Sequence, residues 1–184
     1  MHQTIQLVFR ICFAAVIFTV TAALILTGFA KSSEIFHAAQ NFEQAKKIHL
    51  QSTAQQQFAL LSNNKKPDEA VYVVIAQNGY IAKSSCSHYP EICLDQYNQQ
   101  QTRQIQTIDL LHAGNFHYIE KVSFTDSRTQ QHHTFSYTPE QIQQFYQADV
   151  SSLKYATFGI GLFALAAVFV SFRILRNFKK FIRK

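Results

Sequence analysis

Val71-Tyr-Val-Val-Ile-Ala-Gln-Asn-Gly-Tyr-Ile-Ala-Lys-Ser-Ser85 reads as two β-prone runs flanking the dipeptide Asn78-Gly79. That dipeptide suits a two-residue hairpin, because both central positions of a type I′ turn need positive φ. A hairpin this short is not stable alone and calls for further strands or a covering helix against its apolar face. The segments on either side can supply both.

Downstream, Cys86-Ser-His-Tyr-Pro-Glu-Ile-Cys93 predicts a short helix, with Pro90 acceptable in its first turn and Ile92, Leu94 and Tyr97 as its inner side. Ile105 to His112 and Phe116 to Thr125 read as strands joined at Ala113-Gly114-Asn115. In the second of these, Phe116, Tyr118, Val122 and Phe124 alternate onto one face, with His117, Lys121 and Ser123 on the other. The turn Asp126-Ser127-Arg128 leads to a last strand, Gln131 to Tyr137, which brings the expected number of strands to about five. Thr138-Pro139-Glu140-Gln141 then has the form of a helix start, with Thr as cap, Pro at the first position and Gln three residues past the cap. Upstream, Lys31 to Ser62 contains no Gly or Pro and is rich in Ala, Gln, Glu and Lys, so its propensity predicts one long helix. Asn63-Asn64-Lys65-Lys66-Pro67-Asp68 would end it in a turn.

The ends of the chain differ sharply from this polar middle. Ile11 to Ala30 is 20 residues without a charge, about 30 Å as a helix and so the thickness of a bilayer's hydrocarbon core. Tyr155 to Phe172 is a second uncharged run, of 18 residues. Arg10 precedes the first run, and Arg173, Arg176, Lys179, Lys180, Arg183 and Lys184 follow the second without an acidic residue among them. Basic flanks are retained on the cytoplasmic side, so both ends are expected inside. Residues 31–154 hold 10 Lys/Arg against 11 Asp/Glu, so the formal net charge of +6 comes from the ends and argues against nucleic-acid binding. The expected organisation is a cytoplasmic N-terminus (1–10), a first span (11–30), an extracytoplasmic domain (31–154), a second span (155–172) and a basic amphipathic tail (173–184). The competing reading of the first run is a cleaved signal peptide, with Gly28 and Ala30 before the cut; its length exceeds a usual signal h-region and favours an anchor. Ala15, Thr19, Ala23 and Thr27 recur every four residues and mark a candidate helix-packing stripe, the alternative being chance in an Ala/Thr-rich helix. In the tail, Ile174, Leu175, Phe178, Phe181 and Ile182 line one helical face against the six basic residues, which suits an anionic membrane surface or a simple stop-transfer cluster.

With Cys12 inside the first span, Cys86 and Cys93 are left facing an oxidising compartment, where a disulfide is the natural outcome; free thiols or a small metal site are the alternatives. His112, His117, His132 and His133 lie on neighbouring strands, yet adjacent strand residues point to opposite faces and nothing in the spacing forces them to converge on a metal. Cys86 or Cys93 with His88 could mimic a thiol and its base, but no third orienting group accompanies them. Five glycines in the whole chain leave no phosphate-cradling loop. The sequence therefore predicts a protein without enzymatic activity, cofactor or metal.

The order of helix, hairpin, short helix, three antiparallel strands and returning helix resembles the PAS-like (PDC or CACHE-type) extracytoplasmic sensor domains of bacterial two-span receptors. The resemblance covers residues 31–154 and rests on the strand-turn-strand of 71–85. It implies an α+β fold in the inner membrane, with a PAS-like domain in the periplasm, both termini cytoplasmic and a sensory or regulatory binding function. Tyr118, Phe124, Phe135 and Tyr137 are the candidate walls of a small-molecule pocket. The continuation into a kinase or methyl-accepting region is missing, so output would pass through another membrane or envelope protein or a homodimer. The rival expectation is an accessory subunit of an envelope assembly or an immunity-type inhibitor.

Overall fold

The computed structural model describes residues 2–67, 69–75, 79–93 and 103–179. The chain is α+β, with a long apolar helix towards each end and an antiparallel sheet in the middle. It divides into two units, one made of Met1–His37 with Asp149–Lys184 and the other of Ala38–Ala148.

In the first unit, α1 (His2–Phe36) lies with the greater part of α4 (Pro139–Arg176), and both are long and apolar enough to cross a membrane. Thr21 and Ser171 are buried, with their hydroxyl oxygens 2.9 Å apart. Thr21 already donates to the Ile17 carbonyl at 2.7 Å, so Ser171 supplies the proton between them. A Cβ on Gly28 would sit 3.8 Å from the Ile160 side chain. The packing face of α1 thus carries Ala14, Thr21 and Gly28, whereas Ala15, Thr19, Ala23 and Thr27 are all exposed in this unit. A four-residue repeat advances about 40° round the helix at each step, while a seven-residue repeat drifts only about 20° and keeps facing a straight partner. Cys12 is free and exposed, and so are the side chains of Arg173, Arg176 and Lys179. Ile174 is buried while Leu175 and Phe178 are exposed; Lys180, Phe181, Ile182, Arg183 and Lys184 lie outside the described residues.

In the second unit the expected helix over 31–62 is overturned. It ends at Phe36, a short α2 (Ala38–Glu43) follows, and the remainder forms β1 (Lys46–Gln51) and β2 (Phe58–Asn63). Ile48 and Leu50 alternate inward against exposed Lys47 and His49, and Phe58-Ala-Leu60 is wholly buried. Helix propensity is a weak prior, and a buried slot in a sheet overrides it.

The other strands are β3 (Ala70–Ile75), β4 (Gly79–Ser85), β5 (Arg103–Ala113), β6 (Phe116–Asp126) and β7 (His132–Ser136). Among the described residues there are seven strands rather than five, in the order β4-β3-β2-β5-β6-β7, with β1 also pairing β5. Ile75 pairs with Gly79, so three residues, 76–78, connect β3 to β4 instead of a two-residue turn; Asn78 lies outside the described residues, and Gly79 takes φ +91°. Ala113 pairs with Phe116 across Gly114-Asn115, with Gly114 at φ +57° as the first position of a II′ turn requires. The sheet curls until β4 returns to β6, where Ser84 Oγ donates to the His117 carbonyl at 2.7 Å. Leu60, Val73, Ile108, Leu110, Ile119 and Val122 fill the space enclosed.

Candidate functional site: an aromatic grip on the last helix

α4 begins as its sequence predicts. The Gln141 amide hydrogen bonds to Thr138 Oγ1 at 3.3 Å and the Thr138 amide to Gln141 Oε1 at 2.8 Å, a reciprocal capping box. The first turns then present Ile142, Phe145 and Tyr146 to the sheet unit, and rings from four other parts of the chain meet them.

A bulge decides which rings those are. Lys121 pairs with Asp109 but Ile119 pairs with Leu110, so Glu120 is an extra residue of β6. The alternation of faces shifts by one there. Phe116 and Tyr118 therefore lie on the face opposite Val122 and Phe124, contrary to the single apolar face that uninterrupted alternation predicts. On that outer face Tyr146 meets Phe42 at 5.2 Å, Phe116 at 6.0 Å and Tyr118 at 6.2 Å between ring centroids. Phe145 stacks on His88 at 4.6 Å and meets Tyr89 edge-on at 5.5 Å. Tyr89, fully buried, accepts the Ile119 amide on its hydroxyl at 2.8 Å, capping the edge of β6 beyond the reach of β7.

The loop carrying His88 and Tyr89 is closed by the Cys86–Cys93 disulfide, with Cα atoms 5.7 Å apart, and α3 (Pro90–Cys93) lies within it. Leu94 and Tyr97, the rest of its expected inner side, fall outside the described residues. Arg103, 3% exposed, donates to the Ile92 carbonyl at 2.6 Å and to Ser62 Oγ at 2.9 Å and places its guanidinium 5.6 Å from the Phe124 ring centroid. The loop is thus closed on itself by the disulfide and tied to the sheet beside that closure by the charged fork of Arg103.

The four expected pocket residues fall in two ring clusters. Tyr118, 1% exposed, belongs to the grip on α4; Tyr137 packs on Tyr89 at 5.0 Å and Phe145 at 6.0 Å. Phe124, 4% exposed, stacks instead with Phe135 at 6.1 Å and His133 at 5.4 Å. The Tyr137 hydroxyl is buried with no hydrogen-bond partner among the described residues, and that burial, with the negative charge of Glu91, pushes its pKa up to about 12. Of the four histidines that the strands bring near one another, His112 and His117 stack at 4.3 Å, while His132 bonds Thr125 Oγ1 at 2.9 Å elsewhere. Burial first, then the charge of His112, lowers the His117 pKa. No group of three or more His, Cys, Asp or Glu able to hold a metal occurs among the described residues. Both thiols lie in the disulfide and His88 stacks on Phe145.

Sequence reading missed His88 and Tyr89 as members of this cluster. Their signal was the Cys86–Cys93 loop itself, since a short disulfide loop fixes whatever side chains it carries. Comparison with family models, with curated proteins and with solved structures gave no match.

Proposed function

We propose that this chain is a membrane-anchored extracytoplasmic module that binds an envelope component and acts through a membrane partner. The observation that carries the reading is α4, one 38-residue helix whose first turns are gripped by the rings of the sheet unit and whose remainder is apolar enough to span a bilayer. The Cys86–Cys93 disulfide supports an oxidising, extracytoplasmic placement of the sheet, and the basic residues after the second run support a cytoplasmic C-terminal end. A strained or released grip on Phe145 and Tyr146 would reach the span along the same continuous helix, as small helix shifts do in switching proteins. This reading does not depend on the PAS-like resemblance, which rests on the order of elements over 31–154 and most on the stretch 71–85.

A second reading, an accessory subunit or immunity-type inhibitor, draws support from Tyr118 and Phe124. Both rings are closed into packed clusters, which leaves recognition to the outer surface of the domain. Site-specific photo-crosslinking in living cells tests either form. A probe at exposed Tyr80 or Gln57 is expected to give one defined adduct with an envelope component, and a probe at Leu162 one with a membrane protein. An inserted, disulfide-bonded chain that gives no adduct from the domain positions overturns the binding-module reading.

A further inference from the structure

β1 and β2 lie end to end along one side of β5, and the ladder opens where one hands over to the other. Gln51 of β1 pairs with Thr107 and Phe58 of β2 pairs with Ile105, so Gln106 falls between the two ladders and has no register partner in either strand. On the other side, pairing jumps from Ile105–Phe124 to Thr107–Ser123, which makes Gln106 the extra residue of a β-bulge. Bulges re-aim side chains and are over-represented beside functional sites. Against this one lies a cleft of about 530 Å³, within the roughly 300–1,000 Å³ of small-ligand sites.

Four carboxamides, from Gln51, Gln57, Gln104 and Gln106, line the cleft together with hydroxyls that include Thr53 and Thr107, and none of its lining side chains is ionisable. Gln106 Nε2 donates to Thr125 Oγ1 at 3.2 Å, which orients that amide. The side-chain amides of Gln51, Gln57 and Gln104 make no hydrogen bond with another described residue. The main chain nearby is already engaged: the Ser52 amide bonds the Gln106 carbonyl at 2.9 Å, Ser52 Oγ donates to the Ile105 carbonyl at 2.5 Å, and the Phe58 amide donates to Ser52 Oγ at 3.1 Å.

These facts select a ligand by elimination. A charged ligand would shed water and find no charged side chain in the lining, where His132 touches only through Nδ1, at 2.9 Å from Thr125 Oγ1 and 3.4 Å from Gln106 Nε2. An apolar one would leave the amides unsatisfied. An added peptide strand would find its ladder positions taken. A carboxamide both donates and accepts, which matches a pair of neighbouring ring hydroxyls that each do the same. We propose that this cleft binds an uncharged stretch of carbohydrate chain, with the glutamine side chains bridging vicinal hydroxyls. The proposal deepens the binding-module reading and rests on it only for where such a chain would be met.

The test uses the full chain, purified in a detergent without a sugar headgroup, and titrates it calorimetrically with chitotriose, maltotriose and cellotriose. Trigalacturonate and a neutral pentapeptide serve as charged and peptide comparators. Saturable binding of at least one neutral trisaccharide is expected, weakened roughly five- to ten-fold by Gln104→Ala and by Gln57→Ala. Lys65→Ala, beyond the far end of β2 and outside the lining, should leave it unchanged. Both glutamines are exposed, so the variants are expected to keep the wild-type thermal transition. Absence of saturable binding by every neutral sugar, binding that survives both glutamine substitutions, or equal binding of either comparator overturns the proposal. Because the purified chain is tested irrespective of its orientation in a membrane, the cleft and the module reading fail separately.

Discussion

Cys86 and Cys93 are seven residues apart, and the bond between them fixes the loop that presents His88 and Tyr89 to α4. Closing so small a loop contributes about 2–3 kcal/mol by restricting the unfolded chain. Cys86→Ser is therefore expected to lower the melting temperature by about 10 °C, with thermal unfolding as the measurement and non-reducing peptide mapping to verify the linked pair. Full alkylation of both thiols without reductant would refute the pairing. His117 offers a second test at this scale. It stacks on His112, which stands opposite Lys46 in the β1–β5 register, and its pKa lies below the ordinary 6.5. As pH falls the unfolded chain takes up this proton first, so the stability contribution is complete above 6.5 and is lost between 6.5 and the lower folded value. Wild-type melting temperature should accordingly drop more steeply than that of His117→Phe between about pH 7 and pH 5. Equal slopes would mean that the stacked pair does not titrate differently on folding.

Among the elements, the start of α4 is the point where local sequence and tertiary packing agree. The reciprocal bonds of Thr138 and Gln141 satisfy two otherwise orphan amides, and Thr138→Ala should cost about 1 kcal/mol in denaturant unfolding while Thr138→Ser retains most of it. An unchanged midpoint in the alanine variant would show that the rings around Phe145 and Tyr146 hold the helix start unaided. β1 and β2 are the opposite case. Lys46–Gln51 and Phe58–Asn63 have helix-permitting composition and no Gly or Pro between them, yet they extend because β5 offers each a buried edge to pair with. The two bulges act at the same scale. Glu120 turns Tyr118 out to meet Tyr146, and Gln106 opens the cleft between β1 and β2.

For the molecule as a whole, the decisive quantity is the side of the membrane on which each part lies. Basic flanks without acidic relief are expected to hold the C-terminal end in the cytoplasm, and the disulfide is expected to form on the far side. Reporter fusions after residue 130 and after residue 184 should thus read opposite sides of the membrane. Finding both on one side would end the two-span arrangement and, with it, transmission through α4.

The sequence by itself determined what depends on neighbours along the chain. Two uncharged runs became two apolar helices, the Cys86–Cys93 spacing became a disulfide, Gly114 marked a turn and Thr138 a cap, because length, compartment chemistry, positive φ and local hydrogen bonds are all short-range matters. Only the tertiary structure decided what depends on distant partners. Residues 46–51 and 58–63 became strands, since edge pairing outweighs intrinsic helix propensity of a few tenths of a kcal/mol per residue. Tyr118 and Phe124 went to opposite faces, because a single bulged residue inverts a period of two and leaves no mark in composition. The face of α1 that packs on α4 was likewise set by the seven-residue repeat of Ala14, Thr21 and Gly28, and the four-residue stripe of Ala15, Thr19, Ala23 and Thr27 lies outside that face.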